Sequence, residues 1–169
     1  MVSIAIALGS NLGDRERSLR EALRELASSI GDLRVSSFRE TDPVGVGAQP
    51  RFVNAAAIGR ATLSARALLT RLLDVEQRFG RERPYPGAPR TLDLDLILYG
   101  DHIIDEPELT VPHPRFRERL FVLEPLAEIA ADWVDPVTGQ TVGELLEVLG
   151  RSGSGWSRAL PAARGWRRS

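Results

Sequence analysis

The sequence predicts an α+β fold in which an antiparallel sheet carries amphipathic helices, and three observations predict it. Short apolar runs with period-two alternation read as strands, most clearly VSIAIALGS near the start and LDLDLILY in the middle. Two longer stretches repeat their apolar residues at helical spacing. Strands and helices follow in the order β-α-β-β-α-β, the pattern of a ferredoxin-like split βαβ sandwich with extra helices at its C-terminal end.

Each element has its own warrant. VSIAIALGS is the first strand, and the glycine, serine and asparagine after it turn the chain into a helix. Over residues 14–30, Leu19, Ala22, Leu23, Leu26 and Ile30 form one apolar stripe opposite arginines and glutamates. Residues 33–38 read as the second strand, and RFVNAAAIGRA from Arg51 as the third, with ETDPVGVGAQP as the loop between them. Ser64 is placed to cap a helix reaching Phe79, with Leu68, Leu69, Leu72, Val75 and Phe79 as its stripe and Gly80 as its stop. RERPYPGAP is too rich in proline and arginine for regular structure and leads into PRTLDLDLILYG, where Leu92, Leu94, Leu96 and Leu98 are expected on one face. A short strand is expected at residues 102–104, LTVPHP as extended loop, one or two short helices over residues 115–129, and a last helix at TVGELLEVLG. Residues 1–150 are expected to form a single domain, and residues 151–169 a loosely held tail.

Composition narrows the function. A chain of 169 residues, 43% hydrophobic and 27% charged, suits one domain with a sizeable core. The net charge of −1 recommends no nucleic-acid or membrane partner, and no apolar run is long enough to span a bilayer, so the default reading is a cytoplasmic protein. A monomer with small-molecule substrates is the accompanying expectation. All 22 basic residues are arginine, which excludes a P-loop lysine and leaves phosphate recognition to guanidinium groups. The absence of cysteine removes disulfides, thiolate metal sites and thiol nucleophiles.

Chemistry concentrates around LDLD. Residues two apart on a strand project from the same face about 7 Å apart, so Asp93 and Asp95 stand side by side. The ordinary reading of such a pair is a solvated sheet edge or pairing with arginine. The sharper reading is a hard-cation site, because Mg²⁺ takes one or two carboxylates and completes its shell with water and phosphate. Arg81, Arg83 and Arg90 crowd the loop just upstream, and guanidinium forks followed by paired carboxylates suit a metal-bound polyphosphate. His113 sits between two prolines in LTVPHPRF, either as a surface histidine or as a donor to phosphate, with Arg119 downstream; His102 reads as surface. Phe52 and Asn54 alternate on the third strand, with Thr41 and Pro43 in the loop before it. They read as core residue and strand-end hydrogen bonder, or as an aromatic face and an amide for a flat heterocycle.

At this point the motifs become recognisable. ALGSNLGD, TDPVGVGAQPRFVNAAA, EQRFGRER, PRTLDLDLILYG and LTVPHPRFRERLFVLEPL follow one another as in the 6-hydroxymethyl-7,8-dihydropterin pyrophosphokinase family of folate synthesis, which the chain resembles over almost its whole length. The resemblance implies transfer of pyrophosphate from ATP to the pterin hydroxymethyl group, releasing AMP, with two Mg²⁺ ions. It implies that Asp93 and Asp95 hold the metals, and that Arg81, Arg83 and Arg90 belong to a closing catalytic loop, Arg83 and Arg90 reaching ATP. His113, Arg119, Thr110 and the backbone near Leu96 would contact ATP as well. Phe52 and Phe121 would enclose the pterin ring, with Thr41, Pro43, Val44, Asn54 and Asp93 around it, and Glu76 matches an acidic family position close by. Two departures stand out: Gly87 and Ala88 occupy the stretch where many members carry tryptophan, and Asp42 precedes Pro43 where a second proline is common. The rival classes are a ferredoxin-like binding module, for instance for RNA, and a catalytically silent relative.

Overall fold

A computed structural model describes residues 1–11, 14–41, 51–79, 92–151 and 158–159. The loop arginines Arg81, Arg83 and Arg90, together with Asp42, Pro43, Val44, Gly80, Gly87 and Ala88, lie outside them.

The larger sheet is antiparallel. Strand β1 (Val2–Ser10) lies between β5 (Asp93–Tyr99) and β4 (Phe52–Ala61), and β4 pairs in turn with β2 (Ile30–Val35) and β3 (Arg39–Thr41). The second strand therefore starts earlier than expected and is interrupted. At the break, Ser36 donates its N–H to Ala56 O and accepts the Ala56 N–H on Oγ, holding the chain against β4 until β3 resumes. Gly59 on β4 permits the close approach of β2, since a Cβ there would stand 2.4 Å from Ile30 Cγ2 and 2.8 Å from Gly31 O. The backbone of β8 (Arg158–Ala159) pairs with the outer edge of β3.

Helices cover both faces. On one face lie α1 (Arg15–Ala27) and α2 (Ala65–Arg78), whose Leu19, Leu23, Leu26, Leu68 and Leu72 pack fully buried against Ile4, Ile6 and Leu8. Each such burial is worth about 1.5–3 kcal/mol relative to exposure. Both helices start as their sequences imply: Asp14 accepts the N–H of Arg17, and Ser64 that of Ala67. The stripe of α1 stops before Ile30, which opens β2 instead. On the opposite face, α3 (Leu120–Ala130) packs over β1 and β4, and α4 (Val142–Arg151) packs against α3, in one core with Ala5, Ala7, Ala56 and Ile58. Thr141 and Glu144 cap α4 reciprocally, side chain to backbone in both directions.

Two expectations need correction. The expected leucine face of β5 is broken: Ile6 pairs with Leu96 but Ala5 with Leu98, so Ile97 is an extra, bulged residue. Leu92, Leu94 and Leu96 face α1 and α2, whereas Ile97 and Leu98 join the α3–α4 core and Tyr99 returns to the first. LTVPHP is not wholly loop either, because β7 (Leu109–Val111) pairs with β6 (Ile104–Glu106) in a separate two-stranded sheet. The short strand expected at residues 102–104 is β6, shifted two residues on to Ile104–Glu106, because a turn at residues 100–101, with Gly100 in the left-handed region at φ 55°, comes first.

Between β7 and α3 runs a 3₁₀ turn, Phe116–Glu118, anchored by the fully buried Asp135. Arg117 donates Nε and Nη2 to the two Asp135 oxygens, and Thr138 Oγ and the Val137 N–H donate as well. Burial alone would raise the Asp135 pKa, but the hydrogen bonds from Arg117, Thr138 and Val137 outweigh it and hold the carboxyl below its ordinary value.

Candidate active site

The register of three strand pairs sets out the site. Gly9 on β1 lies opposite Asp93 on β5 and Asn54 on β4, and Asn54 lies opposite Arg39 on β3. Directly paired residues share a face. Asp93, Gly9, Asn54 and Arg39 therefore form one row across the sheet, on the face that α3 and α4 cover further along. Asp95, opposite Ala7, projects from the same face as Asp93, and both aspartates are half-buried.

Gly9 is the flat point of this row. A Cβ there would stand 2.9 Å from Asn54 Oδ1 and 4.0 Å from Phe52 Cδ1, so only glycine leaves the Asn54 amide where it is. Asn54 is buried, and its Nδ2 donates to Thr41 Oγ1. Thr41 in turn pairs with Phe52 across the strands. Thr41, Phe52 and Asn54 thus make one continuous patch, reached from Asp93 by crossing Gly9.

The second wall comes from the chain around the 3₁₀ turn. The His113 N–H donates to Ile97 O at 3.0 Å, tying the loop to β5 at the bulge itself. His113 Nδ1 accepts the Arg115 N–H at 3.1 Å, so in the neutral ring Nε2 carries the proton. Burial lowers the His113 pKa most, the Arg119 charge lowers it further, Asp93 opposes both, and Arg115 adds to the lowering. Arg119 and Asp93 are accordingly both within electrostatic reach of His113. The Arg119 guanidinium stands 5.5 Å from the centroid of the Phe121 ring, which lies in the first turn of α3.

Six expected positions, Asp93, Asp95, Thr41, Phe52, Asn54 and His113, gather on or beside this face, with Arg119 and Phe121 flanking it. Leu96 is different: its side chain is buried in the α1–α2 core, leaving only its backbone for a ligand. Thr110 is exposed on the small β6–β7 sheet. Glu76, buried on α2, accepts the Leu94 N–H at 2.6 Å from the opposite side of β5. His102 is exposed, its ring edge-on to Tyr99 at 5.1 Å. Gly9 and Arg39 were not singled out by the sequence. A glycine inside an apolar strand was the available signal for the first, and the second had none.

The comparisons with known proteins follow this geometry. The family model for 7,8-dihydro-6-hydroxymethylpterin-pyrophosphokinase matches residues 5–131, more than half of the chain. The chain belongs to this pyrophosphokinase family. A Synechocystis sp. protein named 2-amino-4-hydroxy-6-hydroxymethyldihydropteridine pyrophosphokinase is 46% identical over 144 residues, 84% of this chain and 73% of its own. A Bacillus subtilis protein of the same name is 47% identical over 126 residues, covering 73% and 75%. Among solved structures, an HPPK-DHPS crystal structure in complex with substrates aligns at TM-score 0.69 with 12% identity, over 89% of this chain and 44% of that one. A Plasmodium falciparum HPPK-DHPS triple mutant aligns at TM-score 0.70 with 14% identity, over 87% and 44%. This chain spans less than half of those two, and at such identity they speak for the fold alone. Every segment from Ala5 to Ala131 that builds the sheet, the row and both walls lies within the pyrophosphokinase match.

Proposed function

We infer that the chain is a pyrophosphokinase of folate synthesis, moving the β,γ-pyrophosphoryl group of ATP to the hydroxymethyl oxygen of 6-hydroxymethyl-7,8-dihydropterin. The observation that carries the residue-level reading is the row Asp93–Gly9–Asn54, which puts an acid pair and a buried amide on one face with only a glycine between them.

Asp93 and Asp95 would hold Mg²⁺, two ions by the family resemblance. Two half-buried carboxylates on one strand face fit a hard cation, and among the described residues no larger cluster of acids and histidines competes for it. When bound, Mg²⁺ supplies neutralisation of phosphate charge. The neutral His113, with Nε2–H free to donate, and the Arg119 cation suit phosphate oxygens, with Thr110 and the Leu96 backbone toward the nucleoside. Arg81, Arg83 and Arg90 complete the anion-binding set from the loop before β5. Phe52 and Phe121 take the two faces of the pterin ring, and Thr41, Pro43, Val44, Asn54 and Asp93 its polar edge.

In the reaction the hydroxyl oxygen attacks the β-phosphorus in line, the bond to the α,β-bridging oxygen breaks, and AMP leaves while the hydroxyl proton is released. Little covalent chemistry falls to the protein; positioned donors and exclusion of water do the catalysis. The strand order β5-β1-β4-β3, with β2 beside β4 and α1 and α2 on one face, supports the ferredoxin-like reading of residues 1–150 as one catalytic domain. No helix among the described residues is long and apolar enough to cross a membrane. We place the enzyme in the cytoplasm as a monomer. Asp95→Ala tests the assignment: loss of Mg²⁺-dependent turnover with an unchanged circular dichroism spectrum is expected, and retained turnover refutes the metal role.

A further inference from the structure

We propose that Arg39 is a positioning residue for the acceptor half of the site, fixing β3 against α3 so that the elements carrying Thr41 and Phe121 keep the separation a flat ring needs. The inference rests on reading Thr41, Asn54 and Phe121 as the acceptor pocket.

Arg39 begins from the functional face, directly opposite Asn54 in the row. Its Nη1 lies 3.4 Å from Glu124 Oε2 and its Nη2 3.9 Å from Glu128 Oε1. Glu128 also accepts the Ser37 N–H on Oε2 and the Ser37 hydroxyl on Oε1, the latter at 2.7 Å. Two carboxylates one helical turn apart on α3 are thereby joined to two residues that flank the start of β3.

The placement of Glu124 makes this more than a surface pairing. Its side chain is only 3% exposed, in a helix that otherwise reads LFVLEPLAEIA, and Arg39 is 19% exposed. A carboxylate so buried is costly unless a cation meets it, so the pair is directional in a way that apolar packing is not. Phe121 precedes Glu124 by three residues and shares its side of α3; Thr41 follows Arg39 by two and shares its side of β3. The ion pair therefore sits one turn or one pleat behind both proposed ring contacts. It sets the distance between their supports. The proposed metal ligands Asp93 and Asp95 lie on a different strand, β5.

The test compares steady-state KM values for the hydroxymethyl dihydropterin and for ATP, with melting curves, in Arg39→Met, Glu124→Gln and the control Asn54→Ala. Arg39→Met is expected to raise the pterin KM about tenfold while the ATP KM stays within about twofold, as a misplaced pocket wall should. Arg39→Lys, keeping the charge without the planar fork, should recover part of the loss. Should Arg39→Met fail to fold, Glu124→Gln, which keeps shape and hydrogen-bonding capacity, is expected to raise the pterin KM selectively. Equal movement of both KM values, or no movement in a variant that melts normally, overturns the proposal. If Asn54→Ala leaves the pterin KM unchanged, the acceptor reading itself fails; if Asn54→Ala raises it and the Arg39 and Glu124 variants do not, only the positioning role fails.

Discussion

The buried carboxylate of Glu76 on α2 accepts the backbone N–H of Leu94 at 2.6 Å, at the residue that stands between Asp93 and Asp95. Among the described residues β5 is an edge strand of the larger sheet, and Glu76 meets that N–H where a neighbouring strand would otherwise do so. The aspartates face one way and their backbone is held from the other.

Truncating this support should therefore reach the metal side. Glu76→Ala leaves a buried donor unmet, a loss of about 1–3 kcal/mol in urea unfolding. A kcat lower by about tenfold is expected as the Asp93–Asp95 spacing relaxes. Glu76→Gln still offers an acceptor oxygen and should retain most of both. Equal activity in Glu76→Ala and wild type would show that the contact is structural only.

Gly9 gives a second handle, on the acceptor side. The added methyl of Gly9→Ala would meet Asn54 Oδ1 at 2.9 Å, displacing the amide that Thr41 engages. Overpacking of this kind costs about 1–3 kcal/mol. The kinetic expectation is a raised pterin KM with little change for ATP, and a crystal structure of the variant should show the Asn54 side chain moved.

The chain has only two histidines, so His113 can be followed by NMR against the exposed His102. Burial first, and then Arg119, lower its pKa below 6.5, so the ring is neutral at pH 7 in the free protein. Because the folded value is depressed, its contribution to stability is present above 6.5 and is lost as pH falls through the lowered folded value. If His113 donates to phosphate, ATP should raise this pKa, whereas a titration midpoint unmoved by ATP would remove it from the nucleotide site.

Much of this was legible in the sequence because it is local. Periodicity located α1, α2 and β5, Ser64 marked its own helix start, and LDLD announced two carboxylates on one face. What escaped depends on partners distant in the chain. The bulge at Ile97, which sends Leu98 to the other core, arises from the register with β1 and leaves no mark on an unbroken run of alternation. Residues 109–111 became a strand because residues 104–106 fold back on them. Arg39 and Glu124 meet across 85 residues of sequence, and in isolation each reads as an ordinary surface charge. The site has the same division: the residue types could be read along the chain, but the row that joins Asp93 to Asn54 through Gly9 exists only once three strands are paired.

The most direct measurement of the central claim is AMP formation from ATP and Mg²⁺ with and without 6-hydroxymethyl-7,8-dihydropterin, the pterin product being weighed by mass spectrometry. AMP is expected only when the pterin is present, in one-to-one ratio with a pterin diphosphate. AMP released without pterin, ADP in its place, or no AMP at all would contradict that claim.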